Sequence, residues 1–148
     1  MILIEDPESW EAAFYLTYFR ASKSSIPNIY TAIESINNSL SNVFKLINSH
    51  INDEEEQEHA LEEITNRIIN IASDLFYTAT KSYDNLSLEG QIKHAESFID
   101  NTHACYSLQY NLGDLLEAFY AENDFITELG VDAWKSAIQR KISMSILH

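Results

Sequence analysis

Two stretches of this sequence place a carboxylate three residues before a histidine, Glu56-Gln57-Glu58-His59 and Asp100-Asn101-Thr102-His103. On a helix that step stacks both groups on one face, the spacing by which carboxylate-bridged di-metal bundles hold their ions. Direction argues against that use. With Leu61, Ile68 and Leu75 taken as inward, a turn of about 100° per residue sets His59 about 160° and Glu56 about 140° away from the core, and His103 lies opposite the Leu108 and Leu112 stripe. The second stretch has Asp where Glu is usual, and no inward carboxylate on the earlier helices matches either pair. Neither a metal nor a cofactor is expected.

Other chemistry is no better supplied. His94 is the one histidine predicted on an inner stripe, one turn before Phe98 with Asn101 nearby. A neutral, hydrogen-bonded core histidine is its expected state, with a ligand or acid-base role as the sharper alternative. Cys105 falls on an apolar stripe, the setting of an inert thiol. Serines are many, but none lies in a nucleophile-elbow or Ser-x-x-Lys context, and there is no Gly-rich phosphate loop. No catalytic constellation is present, and an enzyme is not expected.

The elements that would position these residues are helices. Only 3 Gly and 2 Pro occur in 148 residues, and they fall where helix ends are expected. The predicted fold is all-α: a single-domain antiparallel helical bundle over residues 1–148, with four long helices plus one or two short C-terminal helices. The first helix has Asp6 as N-cap, Pro7 at the first helical position and Glu8 in the first turn. It carries Trp10, Ala13, Phe14, Thr17 and Ala21 inward and ends near Ser22. The second runs from about Ser25–Pro27 toward Asn48 on a seam of Ile29, Ile33, Ile36, Leu40, Val43 and Ile47. The third, capped by Asn52 or Asp53, repeats that alternation at Leu61, Ile64, Ile68, Ile71 and Leu75, and its short connection predicts antiparallel packing on the second. Tyr83 to Ser87 reads as a loop. Ser87 caps a fourth helix whose inner face is Phe98, Cys105, Leu108, Leu112, Leu115 and Phe119, with Gly113 as a bend or break. A short helix over Phe125–Leu129 and a last one over Ala133–Ser143, carrying Trp134, Ala137, Ile138 and Ile142, follow Asn123, Gly130 and the cap Asp132.

Composition narrows the setting. Hydrophobic residues make up 45% of the chain, too many for a disordered acidic tail. One cysteine excludes an internal disulfide, and the amino terminus lacks the basic and apolar segments of a secretion signal, so a cytoplasmic location is expected. No run approaches the roughly 20 apolar residues of a membrane span.

Charge says most about partners. Asp and Glu number 23 against 9 Lys and Arg, a formal −14. Residues 1–60 and 61–122 each hold 10 acids and 3 bases, whereas residues 123–148 hold 3 of each. Such a field repels nucleic acid and anionic membranes and steers basic proteins inward. Its densest point is Asp53, Glu54, Glu55, Glu56, Glu58, Glu62 and Glu63. Acids in a first helical turn offset the positive end of the macrodipole, which accounts for the start of this run but not for Glu62 and Glu63. Trp10, Phe14, Tyr15, Tyr18 and Phe19 cover more than half of the first helix, so some rings must reach the surface, where Tyr and Trp beside acids suit a protein-binding patch.

The expected function is therefore an acidic protein-binding module that neutralises a basic partner: a toxin, a nuclease or another nucleic-acid-binding protein. In size, charge and helical content the chain is similar in type to immunity and antitoxin inhibitors of bacterial conflict, and carboxylates that mimic DNA phosphates are one form of that reading. The expected partner-binding residues are Asp53, Glu54, Glu55, Glu58, Glu62 and Glu63, with Tyr77 and Tyr83 as anchors. Two alternatives stand beside it. One is a homo-oligomeric assembly protein or homodimer using the Asn/Ser-rich face of the second helix, among them Asn37, Asn38, Ser39 and Asn42. The other is a bundle that holds a metal or small ligand around His94.

Overall fold

In a computed structural model the chain is described over residues 9–147, with side chains to residue 144. The described residues form α1 (Trp10–Ser22), a 3-10 turn (Ile26–Asn28), α2 (Ile29–His50), α3 (Glu54–Asp84), α4 (Leu88–Tyr120) and α5 (Asp124–Leu147), without a strand. None of these helices is long and apolar enough to cross a membrane.

Short polar side chains start four of the five helices by accepting from their unpaired first-turn N–H groups. Ser9 accepts from Ala12 N at 3.2 Å, Asp53 from Glu56 N at 3.0 Å, Ser87 from Gly90 N at 3.2 Å and Asn123 from Ile126 N at 3.0 Å. The expected start at Asp6, Pro7 and Glu8 lies outside the described residues. α2 lacks a side-chain cap of its own. Asn101, buried on α4, substitutes for one: its carbonyl accepts from Tyr30 N at 3.2 Å and its amide donates to Ile26 O at 3.3 Å.

The heptad seams predicted for α2 and α3 are buried throughout, and Phe44 joins them. Their mutual packing departs from expectation. α2 packs chiefly on α1 and α4, α3 on α4 and α5, and the two chain neighbours touch only lightly. Their seams face a common core from different sides, and α4 fills the space between. On α4, Phe98, Cys105, Leu108 and Leu112 are buried as expected, but Leu115 and Phe119 are only half-buried, and Leu116 and Tyr120 take the core positions. A straight helix drifts off a strict seven-residue repeat by about 20° per heptad, which moves the buried stripe along by one position.

The C-terminal region is one 24-residue helix, not two short ones. Neither Gly113 nor Gly130 breaks its helix, both lack positive φ, and Asn123 rather than Asp132 is the cap. The glycines mark a close approach of backbones. A Cβ on Gly113 would stand 2.2 Å from Trp134 Nε1 and 2.8 Å from Gly130 O, and one on Gly130 would stand 3.2 Å from Gly113 O. The Trp134 ring closes over this crossing, donating from Nε1 to Tyr110 O and Asp114 Oδ1, both at 3.1 Å. From the crossing α5 runs back along α4 in the trench between α3 and α4. Arg140, half-buried, ties all three helices: Nε donates to Gln109 Oε1 at 2.6 Å and the guanidinium also reaches Ser73 and Ser136.

Gly113→Ala should lower stability by roughly 1–3 kcal/mol through overpacking, although Ala exceeds Gly in an unpacked helix by about 1 kcal/mol. Thermal unfolding followed by circular dichroism checks this; an unchanged or raised Tm would mean that the two backbones do not meet at this point.

Candidate functional site

The acidic run at the start of α3 is divided by the turn of the helix together with what packs against it. Positions three and four apart share a face, so Glu54, Glu58 and Glu62 form one row while Glu56 and Glu63 lie on another side. Glu54 and Glu58 each accept from the Asn123 side-chain amide at 3.0 Å, which fastens the start of α5 to the first turns of α3. Asp53 serves as the cap, and Glu55 is exposed.

Glu56, Glu62 and Glu63 instead line an open groove of about 540 Å³ between α1 and α3, together with Glu11 and Trp10 from α1. Ile51 and Ala60 supply apolar surface, and His59 and Asn66 stand among the acids. Two of its members, Glu11 and Glu56, and the aromatic wall Trp10 were not among the partner-binding residues expected from sequence. Chemically the groove offers several carboxylates around one indole, a setting for a lysine or arginine side chain, whose stem packs on the ring while its charge meets acids.

The aromatic surface of α1 backs this groove. Tyr15, Tyr18 and Phe19 pack ring to ring at centroid distances of 5.3–5.7 Å. The Tyr15 hydroxyl donates to Glu63, and the Arg67 guanidinium lies 5.9 Å from the centroids of both Tyr15 and Tyr18. Burial, and then the Glu63 carboxylate, push the Tyr15 phenol up to about 12, because both disfavour a second negative charge there.

The two expected anchors part company. Tyr77 projects from α3 beneath the Lys81 ammonium, 5.6 Å from its centroid. Tyr83 lies within the last turn of α3, not in a loop. It stacks on Phe98 at 4.0 Å, and its hydroxyl donates to Gln91 O at 2.8 Å, so it is a packing element of the α3–α4 joint.

His94 is exposed, contrary to the inner position predicted for it. The core-facing stripe of α4 passes through Phe98 and Asn101, and one turn earlier an open cleft takes the place of the packing that would bury the imidazole. His94 does line a cleft of about 690 Å³ at that end, with Ile26, Tyr30, Ala79, Leu86 and Phe98 as its apolar walls and Asp100 at its edge. Glu56, His59, Asp100 and His103 are exposed, and among the described residues no group of three or more His, Cys, Asp or Glu gathers to hold a metal ion. Cys105 is fully buried, and burial pushes its thiol up to about 12. On α2, Asn37 accepts from Asn111 and Ser39 lies 3.5 Å from the Thr17 hydroxyl, so part of the Asn/Ser face joins α2 to α4 and α1, while Asn38, Ser41 and Asn42 remain exposed.

Compared with protein-family models, with curated proteins and with solved structures, the chain matches none.

The raised Tyr15 value has a pH consequence. Stability supplied by the neutral phenol is fully present below its ordinary value of 10.0 and is lost as pH rises toward about 12. In an ultraviolet titration of tyrosinate, Tyr15, Tyr106 and Tyr120, all raised chiefly by burial, should ionise late. Glu63→Gln should bring one late phenol partway down and leave the other two in place. If all three remain unchanged, Glu63 does not hold Tyr15.

Proposed function

We propose that this chain is an acidic protein-binding module that occludes the cationic surface of a basic partner. The observation that carries the reading is the convergence of Glu11, Glu56, Glu62 and Glu63 from two helices on a groove walled by Trp10. Helix capping does not require this arrangement: Glu62 and Glu63 lie beyond the first turn of α3, and Glu11 comes from another element. Four carboxylates, with His59 among them and Arg67 one turn beyond Glu63, leave an excess of negative charge at this groove, and a cationic partner relieves their repulsion. Inhibition of a basic toxin or nuclease in the cytoplasm is the form of this function that charge, size and the buried lone thiol suit best.

The test is affinity capture from source cells at low salt, with stepwise salt elution and mass spectrometry, comparing the parent with Glu11→Lys/Glu56→Lys/Glu62→Lys. A basic protein should be released from the parent by salt and be missing from the variant, whose circular dichroism matches the parent. Association of the purified pair should slow roughly tenfold or more in the variant and in the parent at high salt. Recovery of the same protein by both baits, or of bait alone, would contradict the reading.

A second reading, small-ligand binding around His94, is favoured by the cleft, whose volume lies within the usual range for ligand sites. A small amphipathic compound that raises the Tm of the parent should leave that of Ser82→Phe, which fills the cleft, unmoved. Equal shifts in both would place the compound elsewhere.

A further inference from the structure

The cleft beside His94 has three aromatic residues in its walls. Tyr83 and Phe98 stack at 4.0 Å, one half-buried and the other buried, so this pair lies deep, whereas Tyr30, 46% exposed, stands toward the mouth. The lining also carries polar groups with nothing to hold. Among the described residues, the hydroxyls of Thr31, Ser82 and Ser97, the His94 ring and the Asp100 carboxylate make no hydrogen bond or ion pair. Asn101 is already taken, its carbonyl by Tyr30 N and its amide by Ile26 O.

Charge selects the ligand. No Lys or Arg lines the cleft, and Asp100 is its one carboxylate, exposed as Tyr30 is. The charges around it keep that sign. On α2, Glu34 lies one turn beyond Tyr30 and Thr31 on the same face, half-buried, while Lys23 lies three residues before Ile26. On α4, Lys93 stands two turns before Asp100 in the same row, with Glu89 and Glu96 a turn to either side of it. On α3, Lys81 and Asp84 each point about 150° from the middle of the face formed by Ala79, Ser82, Tyr83 and Leu86, and the Lys81 ammonium lies against Tyr77. The surround is thus four acids, Glu34, Glu89, Glu96 and Asp100, against two bases, Lys23 and Lys93. An anionic ligand would meet this excess with the His94 ring alone to receive it. A cation suits each part of the lining: aromatic faces attract it, and hydroxyl and carboxylate oxygens accept from an ammonium. The volume of about 690 Å³ admits a ring system as well, packed on Ile26, Leu86 and Phe98.

We propose that this cleft binds a small organic ammonium ion, an arylalkylamine with its ring among the apolar walls and its ammonium at the Asp100 edge. The proposal rests on the ligand reading of the cleft and adds the class of ligand.

The test compares three compounds that share one ring, tryptamine as cation, tryptophol as neutral analogue and indole-3-acetate as anion, by isothermal titration calorimetry with the full chain. Tryptamine should bind roughly three- to tenfold more tightly than tryptophol, and indole-3-acetate should bind most weakly. Asp100→Asn should bring tryptamine to the level of tryptophol and leave tryptophol unchanged. Tyr30→Ala should weaken both, and Ser82→Phe should abolish both. Asp100 and Tyr30 are exposed, so these two variants keep the parent's circular dichroism and decide the matter without Ser82→Phe. Equal binding of the three compounds, or tryptamine binding indifferent to Asp100→Asn, would overturn the ammonium assignment; sensitivity to Tyr30→Ala would then still leave the cleft as a ligand site. Tryptamine binding that survives both Tyr30→Ala and Ser82→Phe, or is lost in Glu11→Lys/Glu56→Lys/Glu62→Lys, would be attraction to the acidic surface and would overturn the proposal together with the ligand reading. Binding of none of the three would overturn the proposal.

Discussion

The contact on which the arrangement depends is that of Gly113 with Gly130. Two helix backbones can approach this closely only where neither carries a side chain, and a single added methyl at Gly113 would meet both the Trp134 ring and a carbonyl. Once this crossing is made, the path of α5 between α3 and α4 is set. That path places Arg140 beside Gln109 and Ser73, buries Ala133 and Ala137, and decides how much of α4 is covered. Leu88 and Ile92, at the far end of α4 from this crossing, stay exposed.

The joints between helices turn on amides, hydroxyls and an indole N–H, and the carboxylates that take part, Glu54, Glu58, Glu63 and Asp114, accept from these groups at or near the surface. Asn101 holds the start of α2, Asn123 holds α5 to α3, and Gln109 receives the half-buried Arg140. Burial holds the Arg140 guanidinium below its usual value, the expected direction for a cation held by neutral groups. For a chain with so large an excess of acid this division is economical physically, since a buried unpaired carboxylate costs far more than a satisfied amide. It also leaves the acid free to concentrate where two helices meet, as in the groove beside Trp10.

The helical class, the seams of α2 and α3, the caps Asp53 and Ser87, and the outward directions of His59 and His103 were all legible in the sequence, because each depends on neighbours within a turn or two. The acidic character was legible for the same reason, since a charge sum needs no geometry. What the sequence could not show is what distant segments do to one another. Gly113 and Gly130 read as helix breakers because in local terms glycine disfavours a helix; only the opposing backbone makes them necessary to two continuous ones. His94 read as a core residue because it continues the core-facing stripe of α4; packing leaves an open cleft at that point instead of close neighbours. The acidic run read as one patch, but tertiary packing divided it, giving Glu54 and Glu58 to Asn123 and bringing Glu62 and Glu63 together with Glu11 and Trp10 from α1. Periodicity and charge are properties of a segment, whereas coverage is a property of a pair, and that is the part that folding decided.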